Sequence, residues 1–240
     1  MSGEVRGRPR RVGHKGAAHI EPGNTLASFD AALRHDVDMI ELDVLSERTD
    51  GSGPLLVAHD YEDMRSRDPL TLQAALEHLA GPSFAGIELD VDIKLPGYER
   101  RVLDALHEQE LIERTLISGM FTDGLDLIRR LEPGVRLGWS VPRVRRDYTT
   151  DMLTAVPALA VLTGYRALLP RRARRALAEG RFDAIMAHWR VVTPALVRGV
   201  AEGGGQLYVW TVDDARLIAK LTAMGVDGII TNDPRLFALA

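Results

Sequence analysis

The run Gly86-Ile87-Glu88-Leu89-Asp90-Val91-Asp92-Ile93-Lys94 carries the alternation that decides the fold. Side chains on a strand point to opposite faces with a period of two. Glu88, Asp90, Asp92 and Lys94 therefore share one face, and Ile87, Leu89, Val91 and Ile93 share the other. The run Met39–Leu45 repeats the pattern, with Glu41 and Asp43 on one face and Ile40, Leu42 and Val44 on the other. The apolar faces need helices to cover them, which turns the carboxylates toward an interior.

Working outward, short apolar strands alternate with amphipathic helices along the whole chain. Further strands are expected at Arg11–His14, Leu55–His59, Thr115–Ser118, Val135–Ser140, Ala184–His188, Gln206–Thr211 and Gly228–Thr231. Helical patterns fall at Thr25–His35, Leu72–Leu79, Tyr98–Gln109, Asp123–Leu131, Thr193–Glu202 and Asp213–Met224. Strands alternating with helices of this length predict parallel βαβ units. A chain of 240 residues suits one (β/α)8 TIM barrel, which takes about 250 residues. The rival, an open doubly wound sheet, would show a GxGxxG turn after the first strand, and none is there. Nine strands are one too many for the barrel, so Leu55–His59, joined to Met39–Leu45 by the turn Asp50–Pro54, reads as a hairpin-like extension. The segment Tyr165–Arg181 reads as a solvated arginine-rich helix in a long connection, and residues 1–10 as a flexible basic N-terminus of a single domain.

Composition narrows the chemistry. There are no cysteines, so disulfides and thiolate metal sites are excluded and any metal must be held by oxygen or imidazole. A net charge of −4 gives no reason to expect a nucleic-acid partner or an anionic membrane surface. No apolar run approaches the ~18 residues of a membrane span, so stable membrane insertion is not expected. Met1–Arg11 is basic but leads into no apolar secretory core, which makes the cytoplasm the expected location. Only three of the 30 basic residues are lysines, and two of them, Lys15 and Lys94, follow polar strand ends at His14 and Asp92.

Active sites of such barrels form at the C-terminal strand ends. The first strand ends in Gly13-His14-Lys15-Gly16, the second holds Glu41-Leu42-Asp43, and its extension ends in His59-Asp60. Several buried carboxylates are costly unless a hard cation or basic partners neutralise them. Glu41, Asp43 and Asp92 are the expected ligands of Mg²⁺ or Ca²⁺; the plainer alternative is internal salt bridges to Lys94 and arginines. His14 and His59 sit at the same rim and suit general acid–base work, imidazole having an ordinary pKa near ~6.5. His35, His78 and His107 lie in helical patterns and read as surface residues, while His188 ends a late strand and could line the mouth. Trp210 either packs on a substrate or caps the barrel core.

The ordered set His14-Lys15-Gly16-Ala17, Pro22-Gly23-Asn24-Thr25-Leu26, Glu41-Leu42-Asp43, His59-Asp60, Asp92-Ile93-Lys94, Trp210-Thr211-Val212 and Gly225–Thr231 resembles the glycerophosphodiester phosphodiesterase family. The resemblance runs from about residue 12 to residue 236 and is weakest between about 140 and 183. It implies hydrolysis of a small glycerophosphodiester to glycerol 3-phosphate and an alcohol. His14 and His59 would be the acid/base pair, Glu41, Asp43 and Asp92 the ligands of the divalent ion, and Lys15 and Lys94 the phosphate holders. Alternatives are a lysophospholipase D-like or phospholipase-like barrel acting on lipid headgroups, and a non-catalytic phosphate-binding barrel. Against the family pattern, Lys15 replaces arginine, Gly23 replaces glutamate and Asp92 replaces glutamate. Asp213 and Asn232 exchange acid and amide, from which little effect is expected.

Overall fold

Period-two alternation sorts the strands into an outer apolar layer and an inner mixed layer, and the chain closes on itself to enclose the second. The computed structural model describes residues 7–143 and 152–240, with side chains from residue 162 onward in the second segment. Eight parallel strands form the barrel: β1 (Arg10–Gly13), β2 (Met39–Ser46), β4 (Glu88–Ile93), β5 (Thr115–Gly119), β6 (Arg136–Val141), β7 (Ala184–His188), β8 (Gln206–Trp210) and β9 (Gly228–Thr231). Their order is β1-β9-β8-β7-β6-β5-β4-β2, and the β1–β2 pairing closes the circle. The expected (β/α)8 barrel is what the chain forms.

Outward-facing Ile40, Leu42, Val44, Leu89, Val91, Ile117, Ile185 and Val209 join the helices in one continuous apolar shell. The helices are α1 (Leu26–Leu33), α2 (Tyr61–Ser66), α3 (Leu72–Leu79), α4 (Glu99–Glu108), α5 (Thr122–Leu131), α6 (Met152–Ala178), α7 (Pro194–Glu202) and α8 (Ala215–Met224). A separate inner cluster of Val12, Met39, Leu116, Met186, Tyr208 and Ile230 plugs the barrel. Gly228 makes room for that plug, because a Cβ there would lie 2.2 Å from the Tyr208 ring. Glu88 closes the N-terminal end between Arg10 and Arg136, the latter at 2.9 Å. The mouth is left to the groups above the plug.

Two expectations are corrected. The extension strand β3 is only Leu55–Leu56, paired antiparallel with β2, so His59 does not end a strand. Beyond Leu56 the backbone leaves the ladder: Val57 N donates to Leu70 O at 2.8 Å, and Asp60 caps the unexpected helix α2 by accepting from the amides of Glu62 and Asp63. His59 thus rides on the β3–α2 loop. The arginine-rich segment, second, is a packed helix rather than a merely solvated one. Leu169, Ala173, Ala176 and Leu177 of α6 are buried while the arginines between them face out. Gly199 of α7 lets the two helices approach, since a Cβ there would stand 2.8 Å from Pro170 O.

Of the N-terminal stretch read as flexible, residues 1–6 lie outside the described residues. Arg8 forks onto Asp38 at 2.6 and 2.8 Å, and Arg10 already belongs to β1. Among the described residues, no helix is long and apolar enough to cross a membrane.

Candidate active site

The chain leaves β1 through a tight turn that Lys15 and Gly16 enter with positive φ, 53° and 80°. Side-chain crowding disfavours that backbone region for most residues. Gly16 is required there also by space, because a Cβ would come within 2.5 Å of the Ser28 backbone. The turn aims the Lys15 amide at Glu41, whose Oε2 accepts from it at 2.8 Å. Asn24, also at positive φ (59°), is buried beside β2 and clamps Asp43 twice. Its Nδ2 donates to Asp43 Oδ2 at 2.9 Å, and its Oδ1 accepts from the Asp43 amide at 3.2 Å.

Strand register does the rest. Asp43 and Asp92 are direct neighbours across β2 and β4, and Glu41 lies one inward position below Asp43. One oxygen of each of the three carboxylates lies within 4.8 Å of the others. Asp43 Oδ1 is buried without an ordinary hydrogen bond, although the Lys94 ammonium lies against it. Lys94 Nζ also meets Asp92 Oδ2 at 2.6 Å, and Lys15 Nζ stands 3.6 Å from Asp43 Oδ2.

This trio fits a hard divalent cation. Two oxygens on one calcium stand no more than about 5 Å apart at metal–oxygen lengths near 2.4 Å. Ion-pair and metal readings of the carboxylates were both open from sequence. The structure shows the lysine pairs in place, and the carboxylate oxygens still gathered closely enough for one ion.

Electrostatics follow the burial. Burial works against ionised Asp43, but the Lys94 and Lys15 charges outweigh it and hold the carboxyl well below its usual range. Glu41 is driven the other way, by burial and then by the charge of Asp43. Lys94 is disfavoured as a cation by burial, yet Asp43, Asp92 and Glu41 hold it firmly protonated. Asp90, deeper in the barrel, is pushed up to about 8 by burial and then by Asp92.

His14 Nδ1 lies 2.7 Å from Asn232 Oδ1 and its Nε2 lies 3.7 Å from Glu41 Oε2. Burial lowers its pKa to about 4, with the charge of Asp43 pulling the other way. The unfolded ring, titrating near 6.5, takes up a proton that the folded ring refuses. Stability from this group is therefore complete above pH 6.5 and is lost as pH falls toward 4. Between pH 7 and pH 5 the loss is about 2 kcal/mol. Urea unfolding at both pH values should show that slope in the native chain and a shallower one in His14→Gln; equal slopes would contradict a buried neutral ring.

His59 stands apart from these contacts. Its Nδ1 pairs with Asp60 Oδ2 at 2.9 Å, and its amide donates to Asp63 Oδ2 at 3.0 Å. Trp210, half-buried, donates from Nε1 to Met186 O at 2.8 Å and rests on the inner plug, as a cap would. Its ring meets His188 edge-on at 5.1 Å, which puts His188 at the mouth as expected. The surface reading of His78 and His107 agrees with their pairs to Asp30 and Glu132, each at 2.8 Å.

Three side chains escaped the sequence reading. Asn24 stands out along the chain only as part of a motif. Asp213 and Asn232 read there as separate substitutions, yet they bond to each other: Asn232 Nδ2 donates to Asp213 Oδ2 at 2.7 Å. Their simultaneous exchange of acid and amide was the available signal.

The fold and site together define a (β/α)8 barrel with imidazole, carboxylate and ammonium groups gathered at its C-terminal mouth. The profile of the Glycerophosphoryl diester phosphodiesterase family matches residues 206–235. A curated glycerophosphodiester phosphodiesterase of Caldanaerobacter subterraneus is 26% identical over 259 residues, covering 93% of each chain. A solved glycerophosphoryl diester phosphodiesterase homologue from Agrobacterium tumefaciens superposes with a TM-score of 0.75 at 17% identity, covering 97% of both chains. A phosphodiesterase of Oleispira antarctica, solved with the product sn-glycerol-3-phosphate, gives a TM-score of 0.66 at 19% identity over 96% of each chain. With these relatives and its ordered motifs, the chain is similar to glycerophosphodiester phosphodiesterases along nearly its whole length.

Proposed function

We propose that the protein hydrolyses glycerophosphodiesters to glycerol 3-phosphate and an alcohol, with a divalent cation and with His14 and His59 as the acid–base pair. The observation that carries the reading is the meeting of His14, the Glu41–Asp43–Asp92 trio and both lysines at one barrel mouth. The product complex of the Oleispira relative supports a small-molecule substrate of this kind. The proposal places the enzyme in the cytoplasm with no nucleic-acid partner, the second supported by its net charge of −4.

Glu41, Asp43 and Asp92 would hold Mg²⁺ or Ca²⁺, and the bound ion would supply positive charge to the phosphoryl oxygens. The ammonium groups of Lys15 and Lys94 face the same region and neutralise charge that grows on those oxygens, where a water-poor site makes such contacts most effective. One histidine takes the proton of the glycerol hydroxyl next to the phosphodiester as that oxygen bonds to phosphorus. The other gives a proton to the departing alcohol oxygen. Water then opens the cyclic phosphate with the two roles reversed. Lys15 holds its charge at one point, without the two-pronged fork of an arginine.

Release of glycerol 3-phosphate from glycerophosphocholine and glycerophosphoethanolamine, with Mg²⁺, with Ca²⁺ and with EDTA, tests the reading. Turnover that EDTA abolishes and metal restores is expected. Metal binding without turnover on either substrate would move the assignment to lipid headgroups. Absence of both would favour a phosphate-binding barrel without catalysis.

A further inference from the structure

Behind His14 the mouth holds a short polar chain that the proposed chemistry leaves unused. Asp213 follows β8 and Asn232 follows β9. Asp213 Oδ1 accepts from the Asn232 amide at 2.8 Å and from Thr231 Oγ1 at 3.0 Å, and Oδ2 accepts from Asn232 Nδ2 at 2.7 Å. The Asn232 backbone is pinned on its other side by His19 N, which donates to Asn232 O at 3.0 Å, while His14 N donates to Thr231 O at 2.8 Å. The backbone bonds thus fix the positions of the His14 and Asn232 side chains relative to one another.

The chemistry of the groups sets the proton. An ionised carboxylate only accepts, so the Asn232 group facing Asp213 must be the amide NH₂. That leaves Asn232 Oδ1 toward His14, and an amide oxygen also only accepts. The ring nitrogen 2.7 Å away, Nδ1, must therefore carry a hydrogen and donate it. In the neutral ring Nε2 is then bare, and it is the nitrogen turned toward Glu41 and the mouth.

We propose that Asp213 and Asn232 are positioning residues which hold His14 in the Nδ1–H tautomer and present the Nε2 lone pair to the substrate. His14 is thereby the group ready to take the glycerol hydroxyl proton in the first step, leaving His59 to protonate the alcohol oxygen. Nε2–H then returns its proton to the glycerol oxygen when water opens the ring. This deepens the proposed function and rests on it for the catalytic consequence, although the tautomer itself does not.

The test is an exchange of acid and amide. Asn232→Asp alone sets two carboxylates face to face and should lower kcat roughly tenfold or more with KM little changed. Asp213→Asn alone removes the pure acceptor that orients the amide and should also lower kcat. The double variant Asp213→Asn/Asn232→Asp rebuilds an amide–acid pair with an oxygen toward His14, and should return kcat to within about threefold of the native chain. Ring ¹⁵N spectra of His14 in the native protein should show a protonated Nδ1 and a bare Nε2, and Asp213→Asn should mix the tautomers. A native ring protonated at Nε2, or a double variant no better than Asn232→Asp, would overturn the proposal. Failure of the native protein to release glycerol 3-phosphate would instead overturn the proposed function, with the spectra still deciding the tautomer.

Discussion

Replacing His14 by alanine is expected to lower kcat by about 10²–10⁴-fold, the range that a single positioned acid–base group supplies. His59→Ala should fall in the same range, because the reaction asks for one proton removed and one delivered in each half. Both variants should fold. His59 lies on a loop with its side chain 47% exposed, and His14 is half-buried at the mouth rather than a member of the inner apolar plug. Measuring kcat and KM on glycerophosphocholine separates catalysis from binding. The histidines touch no metal in this reading, so divalent binding by calorimetry should survive in both variants. Near-native turnover in either one would remove that histidine from the mechanism.

Asp43→Asn should be the most damaging change among the carboxylates. Asp43 is fully buried and receives Lys94, Lys15 and Asn24 together. Neutralising it leaves two ammonium groups with less charge to face, and removal of one partner of a buried ion pair costs about 3–5 kcal/mol. It also removes the central member of the ligand trio. Expected together are a lower urea midpoint and loss of divalent binding by calorimetry. Asp92→Asn, whose side chain is 16% exposed, should lose metal affinity with a smaller stability penalty. An Asp43→Asn protein that still bound the ion at native affinity would exclude Asp43 as a ligand.

Much of this site is legible along the chain because strand periodicity is local. Glu41 and Asp43, like Asp92 and Lys94, are two residues apart, so each pair must share a face once the strand forms. The apolar residues between them settle which face is inside. That reasoning puts Glu41, Asp43 and Asp92 on inward faces, and the closed barrel brings their oxygens together. It fails at His59, because the boundary of an edge strand depends on partners. Beyond Leu56 the β3 backbone has no further ladder on β2, and Asp60 offers the following amides a better acceptor. It fails also at α6, where a run of arginines hides alanines and leucines that only α7 and the barrel reveal as buried.

Sequence alone thus sufficed for whatever depends on alternation within one element: eight parallel strands, an acidic interior and the residues that face it. Contacts between distant segments had to wait for the closed barrel. Asn24 reaches Asp43 across 19 positions, and Asn232 reaches His14 across 218. Asp213 and Asn232 look like two independent substitutions along the chain, and the closed barrel shows them to be one hydrogen-bonded pair. The physical reason is that a side chain's hydrogen-bond partner is chosen by distance in space, and closure of β9 onto β1 is what sets that distance.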